Sequence, residues 1–152
     1  MGAARRGLCA PFHEGGSTVR PVARTQEHVG ERKLSIRADT LEDVFREAAR
    51  VVSRAAGPAR GEPGPWEHIS LTGRDPASLL VDWINELLGR SEVHARAYDD
   101  VRDIAVDGSH VEAEVRGRPV IAWRSPIKAA TYHGLRLERQ RGRWAAQVLL
   151  DV

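Results

Sequence analysis

The stretch Asp75–Gly89, DPASLLVDWINELLG, decides the fold, because several independent signals make it a helix. Asp75 can accept from the first free N–H groups, Pro76 suits the first helical position, and Gly89 can close the far end. Leu80, Trp83, Ile84 and Leu87 recur at i, i+3, i+4 and i+7, so they share one face that must be buried. Leu79, Val81 and Leu88 widen the apolar arc and leave Asp82, Asn85 and Glu86 as the polar strip, the pattern of a central helix in a small core. Asp82 and Glu86 are like charges four residues apart with no base between the two ends, an arrangement that costs about 0.2–0.5 kcal/mol. The strip is therefore either a solvated acidic face or one that receives cations from elsewhere.

Working outward, TLED at Thr40–Asp43 has the form of a capping box, and Leu41, Val44, Phe45, Ala48 and Val52 follow at helical spacing, predicting a second core helix to about Ala55. KLSIRA at 33–38 alternates and predicts a half-buried strand. Gly57–Pro65 holds enough Gly and Pro to forbid either element, and Ile69–Thr72 reads as a short strand leading into the central helix. After Gly89, broken alternation over Val93–Val106 meets Asp107-Gly108, the strongest hairpin signal in the chain, and Val111, Ala113 and Val115 return from it. Pro119–Pro126 reads as an edge segment and Ile127–Ala130 resumes an apolar pattern that TYHG interrupts. Leu135–Gln140 and Trp144–Val152 form a closing hairpin around Arg141-Gly142, with Leu135, Leu137, Val148 and Leu150 on its core side. Two helices with about six mostly antiparallel strands predict an α+β two-layer domain, both helices on one face of one sheet.

At 152 residues, 41% of them hydrophobic and 29% charged, the chain suits one domain and contains no apolar run near the roughly 20 residues of a membrane-spanning helix. The single Cys9 has no partner, which excludes an intrachain disulfide and a cysteine zinc site and suits a reducing cytoplasm. A pI near 9.1 suggests nucleic acid at first sight. However, residues 1–24 hold Arg5, Arg6, Arg20 and Arg24 against Glu14, a net +3, so against the whole-chain +2 residues 25–152 carry −1. That stretch, 1–24, lacks apolar periodicity and reads as an extension outside a 25–152 domain. A domain that is not basic argues against direct nucleic-acid binding, and the absence of an apolar span argues against a membrane partner.

LLVDWINELL at 79–88, IKAATYHGL at 127–135, TLEDVFREAA at 40–49 and the terminal VLLDV together resemble archease, the small protein that assists RtcB-type RNA ligases, over about Glu27–Val152. Archeases typically begin with a D-H-T-A-D-[VI]-G run. Here EHVGERK lies opposite it, so Glu27, His28 and Glu31 take the places of the first aspartate, the histidine and the second aspartate. The second aspartate is a metal ligand in the family together with one at the carboxyl end. The resemblance therefore implies a Ca²⁺ or Mg²⁺ site at Glu31, Asp151 and the terminal Val152. Glu for Asp keeps a hard oxygen donor and moves it out by one methylene. The same resemblance implies an RtcB-type ligase as partner and no catalysis by the chain itself.

A chemical reading stands beside the family one. Glu31 precedes one predicted strand and Asp151 ends another, so with the α-carboxylate of Val152 they form an anionic cluster if those strands pair. Strand-end acids are otherwise ordinarily solvated. Three donors fall short of the 6–8 oxygens of a closed calcium cage, which leaves such a site open to a partner. Lys128, Thr131 and His133 lie within six positions, yet no Ser or Cys nucleophile accompanies them. Lys128 is expected to find an anion among Asp82, Glu86 and Glu31. His28, Asp82, Lys128 and His133 are thus partner-facing or functional candidates. Alternatives are a small metal-dependent hydrolase with His133 as base, a general chaperone, and a diverged paralogue without metal. Trp83 and Trp144 are expected in the core, Trp66 and Trp123 at the surface.

Overall fold

In the computed structural model, which describes residues 19–28, 30–124 and 127–152, Asp75 caps the central helix as its sequence requires, its Oδ1 accepting from the Ser78 N–H at 2.7 Å. This bond from the Ser78 backbone, the largest cause, helps hold the Asp75 carboxyl below the usual carboxylate range. Thr40 does the same for the first helix, Oγ1 accepting from the Asp43 N–H at 3.1 Å. In chain order the elements are β1 Val22–His28, β2 Glu31–Ala38, α1 Leu41–Ala56, β3 Glu67–Thr72, α2 Pro76–His94, β4 Arg96–Val106, β5 His110–Pro119, β6 Ala129–Gln140 and β7 Arg143–Asp151.

The fold is α+β with two helices, as expected, but its strands form two antiparallel sheets rather than one. The order is β1-β2-β7-β6 in a four-stranded sheet and β3-β5-β4 in a three-stranded one. Alternation tells which face of a strand is buried; it does not tell which strands are hydrogen-bonded neighbours. Each helix packs on strands of both sheets, α1 on β2 and β4, α2 on β4 and β6. One buried cluster joins Leu34 and Ile36 of β2, Val148 and Leu150 of β7, Phe45, Trp83 and Leu87 of the helices, and Ile69, Val111 and Val115 of the smaller sheet. Inside it the Trp83 Nε1–H donates to the Phe45 carbonyl at 2.9 Å, which satisfies a polar atom that burial would otherwise penalise. Trp144 is only half-buried against this cluster.

Four expectations need correction. Gly89 does not end α2; the helix runs on to a left-handed Ala95 whose N–H returns to the Ser91 carbonyl. Gly89 is an exposed helix-interior glycine, tolerable at about 1 kcal/mol, and the extra turn brings in Arg90, which donates to Glu86 and, across to β3, to Glu67, each at 3.0 Å. The acidic strip therefore does have a base within its own helix. β1 went unread because VARTQEH is an edge strand exposed at most positions, with no apolar alternation to signal it, so the boundary placed after residue 24 falls inside a strand. Residues 1–18 of the expected extension lie outside the described residues. The Pro119–Pro126 segment is no edge strand: β5 stops at Pro119, Val120 makes one bridge to Ala59, and positions 125–126 lie outside the described residues.

Both hairpin turns stand. Asp107 Oδ1 accepts from the N–H groups of Ser109 and His110, each at 2.8 Å. Arg141 and Gly142, at φ 54° and 77°, make the two-residue turn with both central residues left-handed that joins β6 to β7.

Candidate cation site at the end of the four-stranded sheet

Glu31 opens β2 and Asp151 closes β7, and the antiparallel register sets them directly opposite one another. One residue further out the Val152 N–H donates to the Gly30 carbonyl at 3.3 Å. Hydrogen bonding at that neighbouring position makes Glu31–Asp151 the non-hydrogen-bonded kind of pair, in which side chains stand closest, Cα to Cα about 4.5 Å. The same bond holds the chain terminus at this end of the sheet, one residue beyond Asp151. Both side chains are exposed, and among the described residues neither is in an ion pair. Like charges directly opposite across a strand pair are destabilising by up to about 1 kcal/mol. The fold thus holds two uncompensated carboxylates together.

Among the described residues no three His, Cys, Asp or Glu side chains come together at metal-binding distance, so this is a site of two side chains plus the terminus. All its donors are oxygens, hard and anionic, which suits Ca²⁺ or Mg²⁺ and not a soft metal. Two or three such donors would hold a cation on one side only.

The remaining predicted residues divide. His28 pairs in register with Glu31 from the β1 side, which places it at the same sheet end. The Lys128 N–H donates to the Asp151 carbonyl at 2.7 Å, so its backbone touches the site. Lys128 also lines a cleft of about 710 Å³ between α1, α2 and Trp123, together with Asn85, Glu92 and Ile127. The expected pairing with Asp82, Glu86 or Glu31 does not form: Glu86 is taken by Arg90, and Asp82 accepts from the Tyr132 hydroxyl. That hydrogen bond to Asp82, with a smaller contribution from burial, raises the Tyr132 hydroxyl above the ordinary tyrosine range.

His133 belongs to an outlooped part of β6. Between Thr131 opposite Leu149 and Arg136 opposite Gln147 the strand carries three residues more than β7 does, with Gly134 at φ 66°. TYHG is therefore a bulge, which aims Tyr132 at α2 and leaves His133 exposed. Thr131 already lies two register positions from Ala129, the partner of Asp151, about 7 Å at 3.4 Å per residue, and His133 lies beyond it. The hydrolase reading needs His133 at the carboxylates and does not find it there.

Asn85 and Tyr132 went unnoticed as positioning residues. Asn85 brackets Ala130, its Nδ2 donating to the carbonyl at 3.1 Å and its Oδ1 accepting the N–H at 2.8 Å, which locks α2 to the start of β6. A lone Asn on a helix's polar strip carries no signal of this; only the contact reveals it.

A model of the archease protein family matches residues 24–152. The archease of Methanopyrus kandleri is 32% identical over 134 residues, covering 83% of this chain and 96% of that protein. That of Methanosarcina mazei is 32% identical over 136 residues, covering 83% and 92%. Among solved structures, Methanobacterium thermoautotrophicum protein 1598 shares the fold with a TM-score of 0.69 at 24% identity, over 86% of this chain and 98% of that one. A Thermotoga maritima protein described as an archease, possible chaperone, does so at 0.60 and 18% identity, over 93% and 100%. The motifs, the two-helix α+β fold and the match over residues 24–152 agree: the chain belongs to the archease family.

Proposed function

We propose that this chain is a cytoplasmic, non-catalytic activator of an RtcB-type RNA ligase, promoting guanylylation of the ligase and its repeated turnover in tRNA splicing or RNA repair. The observation that carries the reading is the Glu31–Asp151 pair beside the chain terminus, two opposed acids that form no ion pair among the described residues, on an exposed sheet end. Such a pair is unfavourable in the isolated chain and becomes favourable when a cation or a cationic partner group is added. Glu31, Asp151 and the Val152 α-carboxylate would hold a divalent cation, which supplies positive charge for anionic groups of a ligase and its nucleotide. The chain's own residues do the positioning: β2 and β7 fix the separation of the carboxylates, and the Lys128 and Val152 backbone bonds fix the last residue of β7. Lys128, Asp82 and His28 then belong to the surface offered to the ligase.

The test is a guanylylation and multiple-turnover assay of a cognate RtcB-type ligase with this chain, its Asp151→Ala variant and its Glu31→Ala variant. Acceleration by the wild type and at least a tenfold loss in each variant is expected, about 1.4 kcal/mol or more of stabilisation removed. An active ligase indifferent to the wild-type chain would overturn the reading. A second reading, a general chaperone, is favoured by the description of the Thermotoga maritima relative and by the exposed Val93, Ile121 and Trp123. It predicts suppression of client aggregation that survives Glu31→Ala.

A further inference from the structure

The outer face of the four-stranded sheet, turned away from the core, carries more than the carboxylate pair. Leu34, Ile36 and Ala38 of β2 and Ala146, Val148 and Leu150 of β7 point inward and are buried, so the alternate positions point outward. Those positions hold Arg24 on β1, Lys33 and Arg37 on β2, Arg143 on β7 and Arg136 on β6, with Arg141 at the turn beside them. Only Arg143 has a partner, Asp39 at 3.0 Å, and its Nη2 is buried with no hydrogen-bond acceptor. Among the described residues the other five form no ion pair. Three acids share the face: Glu138 lies among these cations, and Glu31 and Asp151 stand at the sheet end one pleat beyond Lys33. A shallow depression between Arg37 and Arg136 is floored by Ser35, Ala145 and Gln147, small or hydrogen-bonding groups without an aromatic ring.

We infer that this face binds the phosphate backbone of a nucleic-acid strand. The inference does not depend on the ligase reading. Four strands span about 14 Å from Arg24 to Arg136 at 4.7–4.9 Å per strand, and Lys33 to Arg37 is a similar distance along β2, so the cations form a field rather than a point. Repeated, unpaired guanidinium forks suit the planar, bidentate recognition that phosphates accept. The floor of this depression lacks the aromatic platforms on which bases stack, and Trp144 in the neighbouring cleft beside Arg37 and Arg141 is half-buried with Arg139 over its ring, so contacts are to phosphate and sugar and carry no sequence preference. The −1 charge of residues 25–152 conceals this, because it averages this face with the majority of the acids, which lie off it.

The test uses the full chain and a fluorescein-labelled 20-nucleotide single-stranded RNA of mixed sequence, read by anisotropy from low to moderate salt. The face variant is Arg37→Glu with Arg136→Glu, and the control is Arg54→Glu with Arg60→Glu, two exposed arginines off this face that change net charge equally. Saturable binding weakened at least tenfold in the face variant and less than threefold in the control is expected. Arg37→Gln with Arg136→Gln gives a smaller loss and a salt slope shallower by about 1.4, from about 0.7 per lost single-strand phosphate contact. It also serves if the charge-reversed chain does not fold. No saturable binding, or equal losses in face and control variants, would overturn the inference. Polyglutamate of matched charge, bound as tightly as RNA, would also overturn it and point to an acidic protein.

Discussion

The outer faces of the two sheets are built from similar residues and treat their charges in opposite ways. On the three-stranded sheet Arg102 and Arg116 are matched by acids, and Arg118 donates to the Gly61 carbonyl at 3.0 Å. Arg102 Nε donates to Glu114 at 2.7 Å and Arg116 Nε to Asp100 at 2.6 Å, and both guanidinium groups lie over the Trp66 ring, 3.9 and 4.4 Å from its centre. His110 is held between Ser70, Thr72 and Glu112. At the edge, Glu67 accepts from Tyr98 at 2.6 Å and from Arg90 at 3.0 Å, tying β3, β4 and α2 together. On the outer face of the four-stranded sheet most basic side chains form no ion pair among the described residues, and two acids are set opposite each other. Charges satisfied at home serve stability, whereas charges left unsatisfied on a rigid sheet are available to a partner.

This contrast predicts different responses to mutation. Trp66→Ala on the matched face removes the ring that two arginines cover and should lower stability by about 2 kcal/mol, from two cation–π contacts of about 0.5–1 kcal/mol each plus lost burial. Chemical denaturation checks this, and ligase activation should be unchanged. A stable but inactive Trp66→Ala protein would break the contrast.

Tyr98→Phe should cost about 1 kcal/mol, the worth of one hydrogen bond to a partly buried carboxylate. It also has a pH signature. Burial first, then the bond to Glu67, push the Tyr98 hydroxyl well above 10 in the folded chain, so its contribution is complete below the unfolded value near 10 and is lost as pH rises above it. Thermal melts should show wild type losing more stability than Tyr98→Phe between about pH 10 and 11. Parallel curves would contradict the assignment.

The smallest effect has the most telling sign. Glu31→Gln on the unmatched face should raise stability slightly, by about 0.2–1 kcal/mol in low salt without divalent cations, because it relieves a cross-strand repulsion. Most substitutions destabilise, so a gain that vanishes when Ca²⁺ is added would sharpen the contrast considerably.

How much of this could be read from the sequence follows from how each feature is encoded. α2, α1, their N-caps and the two hairpins were legible because capping, periodicity and turn chemistry are local. Leu34, Ile36, Val148 and Leu150 were legible as core for the same reason. The second sheet was not, since strand partnership is set by packing over long separations. β1 was missed because an exposed edge strand needs no apolar alternation, and the end of α2 because Arg90 and Ser91 make a mid-helix glycine tolerable. At the candidate site, Glu31, Asp151 and Val152 were named through the family's motif, and their juxtaposition required the register of β2 and β7. Asp82 was noticed as an odd charge, but its partner Tyr132 arrives through a bulge that no spacing rule announces.

The claim that the unmatched sheet end is a cation site is tested most directly by titration calorimetry of Ca²⁺ and Mg²⁺ into the chain with a free C-terminus, alongside Glu31→Ala and Asp151→Ala. The account predicts saturable binding to the wild type that is lost in both variants, since either substitution leaves one side-chain carboxylate and the terminus, too few donors for a divalent ion. Binding that persists undiminished in both variants, or no binding to the wild type at all, would contradict it.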